Sequence, residues 1–219
     1  MRVLAVSVHP DDETLGAGGT LLRHRAEGDE LHWCVVTAAH EPQWTRETID
    51  AKSAEVDCVA EAYGMASLHR LGLPAAHLDT VPQNDLMGRL GAVVAEVRPE
   101  VVYTVHAGDV NSDHGAAFAA LLAVLKPFHM RRLGVRRVLS WETLSSTEAA
   151  ATPTFAPTVF TDVSATLERK LEIMALFESE VQPEPLPRSP SAIRALARFR
   201  GATIAVEYAE AFVLVREAG

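Results

Sequence analysis

Two short polar clusters hold the residues of this chain best suited to chemistry. The first is His9-Pro10-Asp11-Asp12-Glu13, at the end of an apolar run; the second is Asp109-Val110-Asn111-Ser112-Asp113-His114, at the end of another. Each sets imidazole beside carboxylate. Three nitrogen or oxygen ligands with one position left open make a catalytic zinc centre. Two from the first cluster and one from the second would complete such a set. The competing reading is structural: acids that follow a strand commonly cap a helix, where its dipole favours negative charge, and Asp113-His114 can be a capped helix start. Placement of both clusters after predicted parallel strands favours a shared site, because open α/β sheets bind ligands beyond the carboxyl ends of their strands.

The elements that must position these clusters follow from hydrophobic patterning. Val3–Val8, Glu30–Thr37 and Val101–Val105 are short, valine-rich runs of the kind expected for buried strands, and Ser67–Leu71 reads as a further strand. Between them, Leu15–Glu27, Glu47–Tyr63 (closed by Gly64) and Asp85–Val97 carry helical spacing, and alanine-rich Ala116–Leu125 follows the fourth strand. Strand and helix in alternation predict right-handed crossovers and an α/β fold: a Rossmann-like, mostly parallel sheet with helices on both faces. From about residue 136 the rhythm changes. Arg137–Trp141, Thr158–Thr161 and Ala211–Val215 are strand candidates, Val163–Glu178 and Ser191–Arg200 helix candidates, and Pro183–Pro190 is loop, with four prolines in eight residues. Residues 1–219 therefore read as one domain, a core over 1–135 completed by C-terminal cap segments over 136–219.

Composition narrows the partners. With 20 Lys+Arg against 29 Asp+Glu, the net charge of −9 argues against broad nucleic-acid binding. No run of 18 apolar residues predicts a membrane helix, and the N-terminus lacks a signal-peptide pattern. The two cysteines, Cys34 and Cys58, imply no disulfide framework, so a cytoplasmic protein is expected. Gly16-Ala17-Gly18-Gly19 departs from the G-x-G-x-x-G fingerprint, which disfavours a dinucleotide oxidoreductase.

The pentapeptide His9-Pro10-Asp11-Asp12-Glu13 and the phrase Asp109-x-Asn111-x-Asp113-His114 resemble the two signature motifs of the LmbE/PIG-L zinc-dependent N-deacetylases, which act on N-acetylglucosaminyl compounds. Trp141-Glu142-x-x-Ser145-Ser146-Thr147-Glu148, Pro187-Arg188-Ser189 and Arg200-Gly201…Ala209-Glu210-Ala211-Phe212 look like segments of a bacterial branch. The resemblance implies that His9, Asp12 and His114 bind Zn²⁺ (Fe²⁺ would accept the same ligands) and that Asp11 is the general base toward the attacking water. Many members carry a histidine three residues before the metal histidine; here that position is Asn111, whose amide can donate a hydrogen bond to an oxyanion but cannot supply a proton. Asp11 would then serve as both base and acid.

Weaker assignments complete the reading. Asp113 either orients a ligand or caps the following helix. His106, at a strand end, either substitutes for the missing acid near the substrate or is a satisfied structural histidine. Glu142 either faces the cleft or makes a surface salt bridge. Arg188 would clamp a phosphate or carboxylate of the substrate, or is solvated. Lys52 stands where relatives often carry a substrate-binding arginine, or is a plain helix lysine. The loops at 40–46, 106–114, 142–152 and 183–190 are expected to line a polar pocket. The expected partner is an acetamido-sugar substrate, and a homo-oligomer is compatible with apolar faces on the C-terminal helices. A zinc amidase for a non-sugar amide and an inactive binding protein of the same fold remain the alternatives.

Overall fold

The computed structural model describes residues 1–152 and 155–218. Its first strand, β1 (Arg2–Ser7), is apolar and buried from Val3 onward, and pairs in parallel with both neighbours: Val3 lies opposite Leu31 of β2 (Glu30–Ala38) and Val101 of β4 (Val101–Thr104). With β3 (Ser67–Pro74), β5 (Arg137–Trp141), β6 (Val159–Asp162) and β7 (Ala209–Glu217), these form one seven-stranded sheet in the order β3-β2-β1-β4-β5-β7-β6. The first five strands in sequence are parallel; β7 runs antiparallel between β5 and β6.

This order locates the site. From β1 the chain moves outward through α1 (Asp12–Ala26) and α2 (Arg46–Tyr63) to β3. It then returns through α3 (Gln83–Val97) to the other side of β1, and continues through α4 (Ser112–Val124) and the short α5 (Pro127–Leu133) to β5. Right-handed crossovers in opposite directions put the helices on opposite faces, and α3 indeed packs on α4 while α1 contacts α2 and α6 (Leu167–Met174). The strand order reverses between β1 and β4, so the loops leaving them part and open a crevice. Both polar clusters lie there.

Helix α1 is buried over all ten residues from Asp12 to Leu21, which explains its run of small residues. A Cβ on Gly16 would stand 2.1 Å from the Trp141 ring, so only glycine lets α1 approach the end of β5. The C-terminal third grips the same helix. Glu210 of β7 accepts the N–H groups of Gly19 (2.9 Å) and Thr20 (2.7 Å), while Lys170 of α6 donates to the Leu15 carbonyl (2.8 Å) and to Glu210 (2.7 Å). Both side chains are buried, so the pair is satisfied by partners on three elements rather than by water.

Several boundaries differ from the sequence expectation. Helices α1 and α4 begin three and four residues earlier than Leu15 and Ala116, which puts Asp12, Glu13, Asp113 and His114 in first helical turns rather than loops. The predicted helix Val163–Glu178 shortens to α6, because Val163–Thr166 form a turn whose Thr166 hydroxyl donates to Gly19 O (2.9 Å). The last helix, α7 (Pro190–Thr203), starts on its Ser189 cap, and α5 was not foreseen. Cys34 is buried in β2, where desolvation pushes its thiol up to about 12, and both cysteines are free. Gly16→Ala is expected to destabilise the protein by about 1–3 kcal/mol through overpacking against Trp141, read as a lower Tm by calorimetry.

Candidate metal centre

Three ligand atoms from the two clusters converge. His114 Nε2 lies 3.3 Å from His9 Nδ1 and 3.3 Å from Asp12 Oδ2, and His9 Nδ1 lies 3.8 Å from Asp12 Oδ2. Ligands about 2.0–2.1 Å from a tetrahedral zinc stand about 3.3 Å apart, so the spacing fits one ion. Local structure sets each member. Asp12 opens α1, and its Oδ2 accepts the N–H groups of Val8 (3.0 Å) and His9 (2.8 Å), which closes the turn between β1 and the helix. His114 rides in the first turn of α4, whose cap is Asn111: Oδ1 of Asn111 accepts the Asp113 N–H at 3.0 Å.

Both imidazoles are oriented from behind by carboxylates. Asp113 Oδ2 lies 3.1 Å from His9 Nε2, and the same side chain accepts the N–H groups of Ala76 (2.6 Å) and Leu78 (3.0 Å). Asp109 Oδ2 lies 3.2 Å from His114 Nδ1 in an oblique ion-pair contact, and accepts the hydroxyls of Ser146 and Thr147, each at 2.8 Å. Such partners fix the ring tautomer and raise ligand basicity. Burial opposes charge on Asp109 and Asp113, yet His114 beside the first, and His9 with the two N–H groups at the second, hold both carboxyls below their usual range. Burial likewise opposes charge on His114, but Asp12 and Asp109 hold its imidazolium up to about 10. This donor set draws positive charge into a buried place, as a cation site should.

Asp11 differs from its neighbour although the side chains are identical. It sits before α1 at φ 111°, a left-handed conformation that a non-glycine residue adopts at a cost and that recurs at functional sites. Desolvation first, then the Asp12 charge, push its carboxyl well above the usual range, against the pull of Arg188. Arg188 Nη1 lies 3.0 Å from Asp11 Oδ2 and 2.7 Å from Glu180 Oε2. Asp12 moves the other way: its burial is outweighed by His114 and His9, which hold it low. Glu13 is fully buried, accepts the Thr14 hydroxyl (2.7 Å) on one oxygen and has no partner for the other among the described residues; burial pushes it up to about 8.

A cavity of about 470 Å³ opens over these groups. His9, Asp11, Asp12, His114, Asn111, Arg188 and Lys52 line it, the last paired with Glu180 and with Ser179 Oγ (2.8 Å). Asp113 lies behind His9, in the cluster but outside the cavity lining. His106 and Glu142 are not brought to the cavity. His106 is buried with Nδ1 3.3 Å from Ser140 Oγ and its ring edge-on to Phe155. Glu142 makes a two-point ion pair with Arg200, at 2.7 and 2.6 Å. Three participants were not singled out in the sequence: Asp109 as the partner of His114, Glu180 as the bridge between Arg188 and Lys52, and Thr143. The Thr143 hydroxyl is buried, lines the cavity and has no hydrogen-bond partner among the described residues. An i, i+5 spacing from Asp109 to His114 was the available signal for the first; the others depend on long-range folding.

Fold and site thus define an α/β protein whose candidate active site is a His-His-Asp group able to hold one metal ion. The chain belongs to the PIG-L family, described as GlcNAc-PI de-N-acetylase, whose profile matches residues 4–125. A 1D-myo-inositol 2-acetamido-2-deoxy-alpha-D-glucopyranoside deacetylase of Geodermatophilus obscurus is 28% identical over 186 residues, 71% of this chain and 56% of the relative. The same-named protein of Rhodococcus jostii is 28% identical over 47% of this chain and 45% of its own length, so the chain spans about half the length of these curated relatives. Among solved structures, the conserved protein TT1542 of Thermus thermophilus superposes with a TM-score of 0.78 at 26% identity, covering 99% of this chain and 96% of that one. The N,N'-diacetylchitobiose deacetylase of Pyrococcus horikoshii gives 0.77 at 19% identity, covering 98% and 83%. A 4-carboxy-2-hydroxymuconate hydratase of Pseudomonas putida gives 0.78 at 19%, covering 100% and 97%, so fold likeness at this identity does not select a reaction.

Two outcomes follow from the geometry. Asp113→Ala should weaken zinc affinity about 10- to 100-fold through loss of the support behind His9, measured by competition with a chelator dye. Glu13 binds a proton in the folded chain up to about pH 8 but in the unfolded chain only below about 4.5, so it makes stability fall as pH rises across that window. In metal-free protein, Glu13→Gln should therefore gain stability relative to wild type as pH is raised from 5 to 8 in urea melts.

Proposed function

We propose that this protein is a metal-dependent hydrolase that removes the acetyl group from a 2-acetamido sugar conjugate, releasing acetate and a free amine. The observation that carries the reading is the convergence of His9 Nδ1, Asp12 Oδ2 and His114 Nε2 in the same cavity as a separate buried carboxylate, Asp11. The acetamido-sugar part draws support from relatives that are deacetylases of acetamido-sugar compounds. Zinc is the metal of choice for a nitrogen/oxygen set of three, with Fe²⁺ able to use the same ligands. Residues 1–219 act as one unit in this reading, because Glu180 and Arg188 from the C-terminal third line the cavity. No helix among the described residues is long and apolar enough to cross a membrane.

A divalent ion held there supplies Lewis acidity to the amide carbonyl and to the attacking water. Asp11 accepts the water's proton. Arg188 takes up its Oδ2, and no described residue takes up Oδ1. Because burial and the Asp12 charge raise its proton affinity, Asp11 holds that proton until the departing nitrogen receives it, acting as base and then acid. Asn111 uses Oδ1 to cap α4, which leaves its NH₂ without a partner among the described residues and suited to donate to the tetrahedral oxyanion. The Thr143 hydroxyl gives a hydrogen bond to a sugar oxygen and helps to orient the ring.

Zinc reconstitution followed by desalting should leave about one ion per chain by elemental analysis, lost in His9→Ala and His114→Ala. Asp11→Ala should keep the ion while acetate release from N-acetylglucosaminyl glycosides falls by about 10²–10⁴. No retained metal under any loading, or normal turnover in Asp11→Ala, would overturn the reading.

A further inference from the structure

The cavity has two chemically different walls. On the side of β4 and β5 it is polar, with Asn111, Thr143, Ser145 and Ser146. On the side of β2 and α2 its lining is mainly apolar, with Val35, Ala38, Ala39, Trp44, Ile49 and Val56 beside Thr37, Lys52, Ser53 and Glu55. The apolar wall is not closed off by protein: Trp44 and Ile49 are only partly buried, although both are large and apolar. At about 470 Å³ the cavity lies within the ~300–1,000 Å³ range of sites for drug-sized ligands and leaves room beside one acetamido hexose.

The cations at the cavity do not offer an anion site. Lys52 faces Glu180, Arg70 lies 2.8 Å from Asp57, and Arg188 bridges Asp11 and Glu180. Glu55 adds a further acid to the lining, where it accepts from Ser179. A phosphate arriving there would have to displace a carboxylate from each cation and would meet the remaining acids. Burying apolar surface against Trp44 and Ile49, beside these paired charges, needs no such displacement.

We infer that the wall of β2 and α2 is an apolar subsite that receives an aromatic or alkyl aglycone carried by the substrate, and that Trp44 and Ile49 set this preference. The assignment to an aglycone rests on the deacetylase reading; the subsite itself does not. Its occupant lies over the end of β2, next to the metal cluster, so the sugar keeps the polar wall and the aglycone takes the apolar one.

The test uses the zinc-loaded full chain and two pairs of probes. Isothermal titration compares phenyl β-D-glucopyranoside with methyl β-D-glucopyranoside, neither of which carries an amide. Acetate release compares the phenyl and methyl glycosides of N-acetylglucosamine with N-acetylglucosamine 1-phosphate. Phenyl over methyl should be favoured at least tenfold in Kd and in kcat/KM, equivalent to about 1.4 kcal/mol. That ratio should fall to about two or less in Trp44→Ala and in Ile49→Ser, both at partly exposed positions where the fold tolerates change. Equal affinity for the two glucosides, an unaltered ratio in both variants, or preference for the phosphate would overturn the inference. A phenyl preference in binding with no acetate released from any sugar would support the subsite and count against the deacetylase reading alone.

Discussion

The structure depends on how negative charge is held beyond the central strands. Asp12, Asp109 and Asp113 are all buried or nearly so around two imidazoles, and carboxylates taken out of water need compensation. Backbone N–H groups provide part: Val8 and His9 bond Asp12, and Ala76 and Leu78 bond Asp113. The imidazoles provide more, as the elevated His114 shows. A divalent ion held by His9, Asp12 and His114, as proposed, would complete the balance. The same arrangement makes Asp11 different from Asp12: the two imidazoles hold Asp12 low, while Asp11 is left with raised proton affinity and the Arg188 guanidinium as partner.

Because this cluster is divided between β1–α1 and β4–α4, its geometry depends on the relative placement of two helices. Helix α1 is held most elaborately. Small residues let it approach Trp141, and the buried Lys170–Glu210 pair ties its backbone to α6 and β7. The final 80 or so residues therefore do more than extend the sheet. They clamp the helix that begins with Asp12 and carry Glu180 and Arg188 into the cavity.

Much of the parallel core was legible because its strands are short, β-branched and separated by amphipathic helices. β1, β2, β4 and β5 lie within two residues of the predicted limits. Helix starts were less legible. Polar residues at 12–13 and 112–114 read as turn or loop by composition, yet the dipole and the Asn111 cap make them first turns. The unforeseen α5 is a single short segment beginning at Pro127, with too few residues to display a period. His106 and Glu142 show the opposite limit: both stand at strand ends, but the adjoining partners Ser140 and Arg200 take them up away from the cavity.

By itself the sequence determined the alternation of strands and helices, and with it a crevice at the carboxyl edge; it also held the two clusters whose residue types suit a metal and a base. Those properties are local, set by patterning and by chemistry within a few residues. Only the tertiary structure decided which nitrogen and oxygen atoms meet, that Asp109 stands behind His114, and that Arg188 reaches Asp11 across 177 residues of chain. It also decided that Trp44 and Ile49 line one side of the cavity. These contacts join residues distant in sequence, so they are fixed by how β1, β4 and the C-terminal segments pack together, and no local pattern records them.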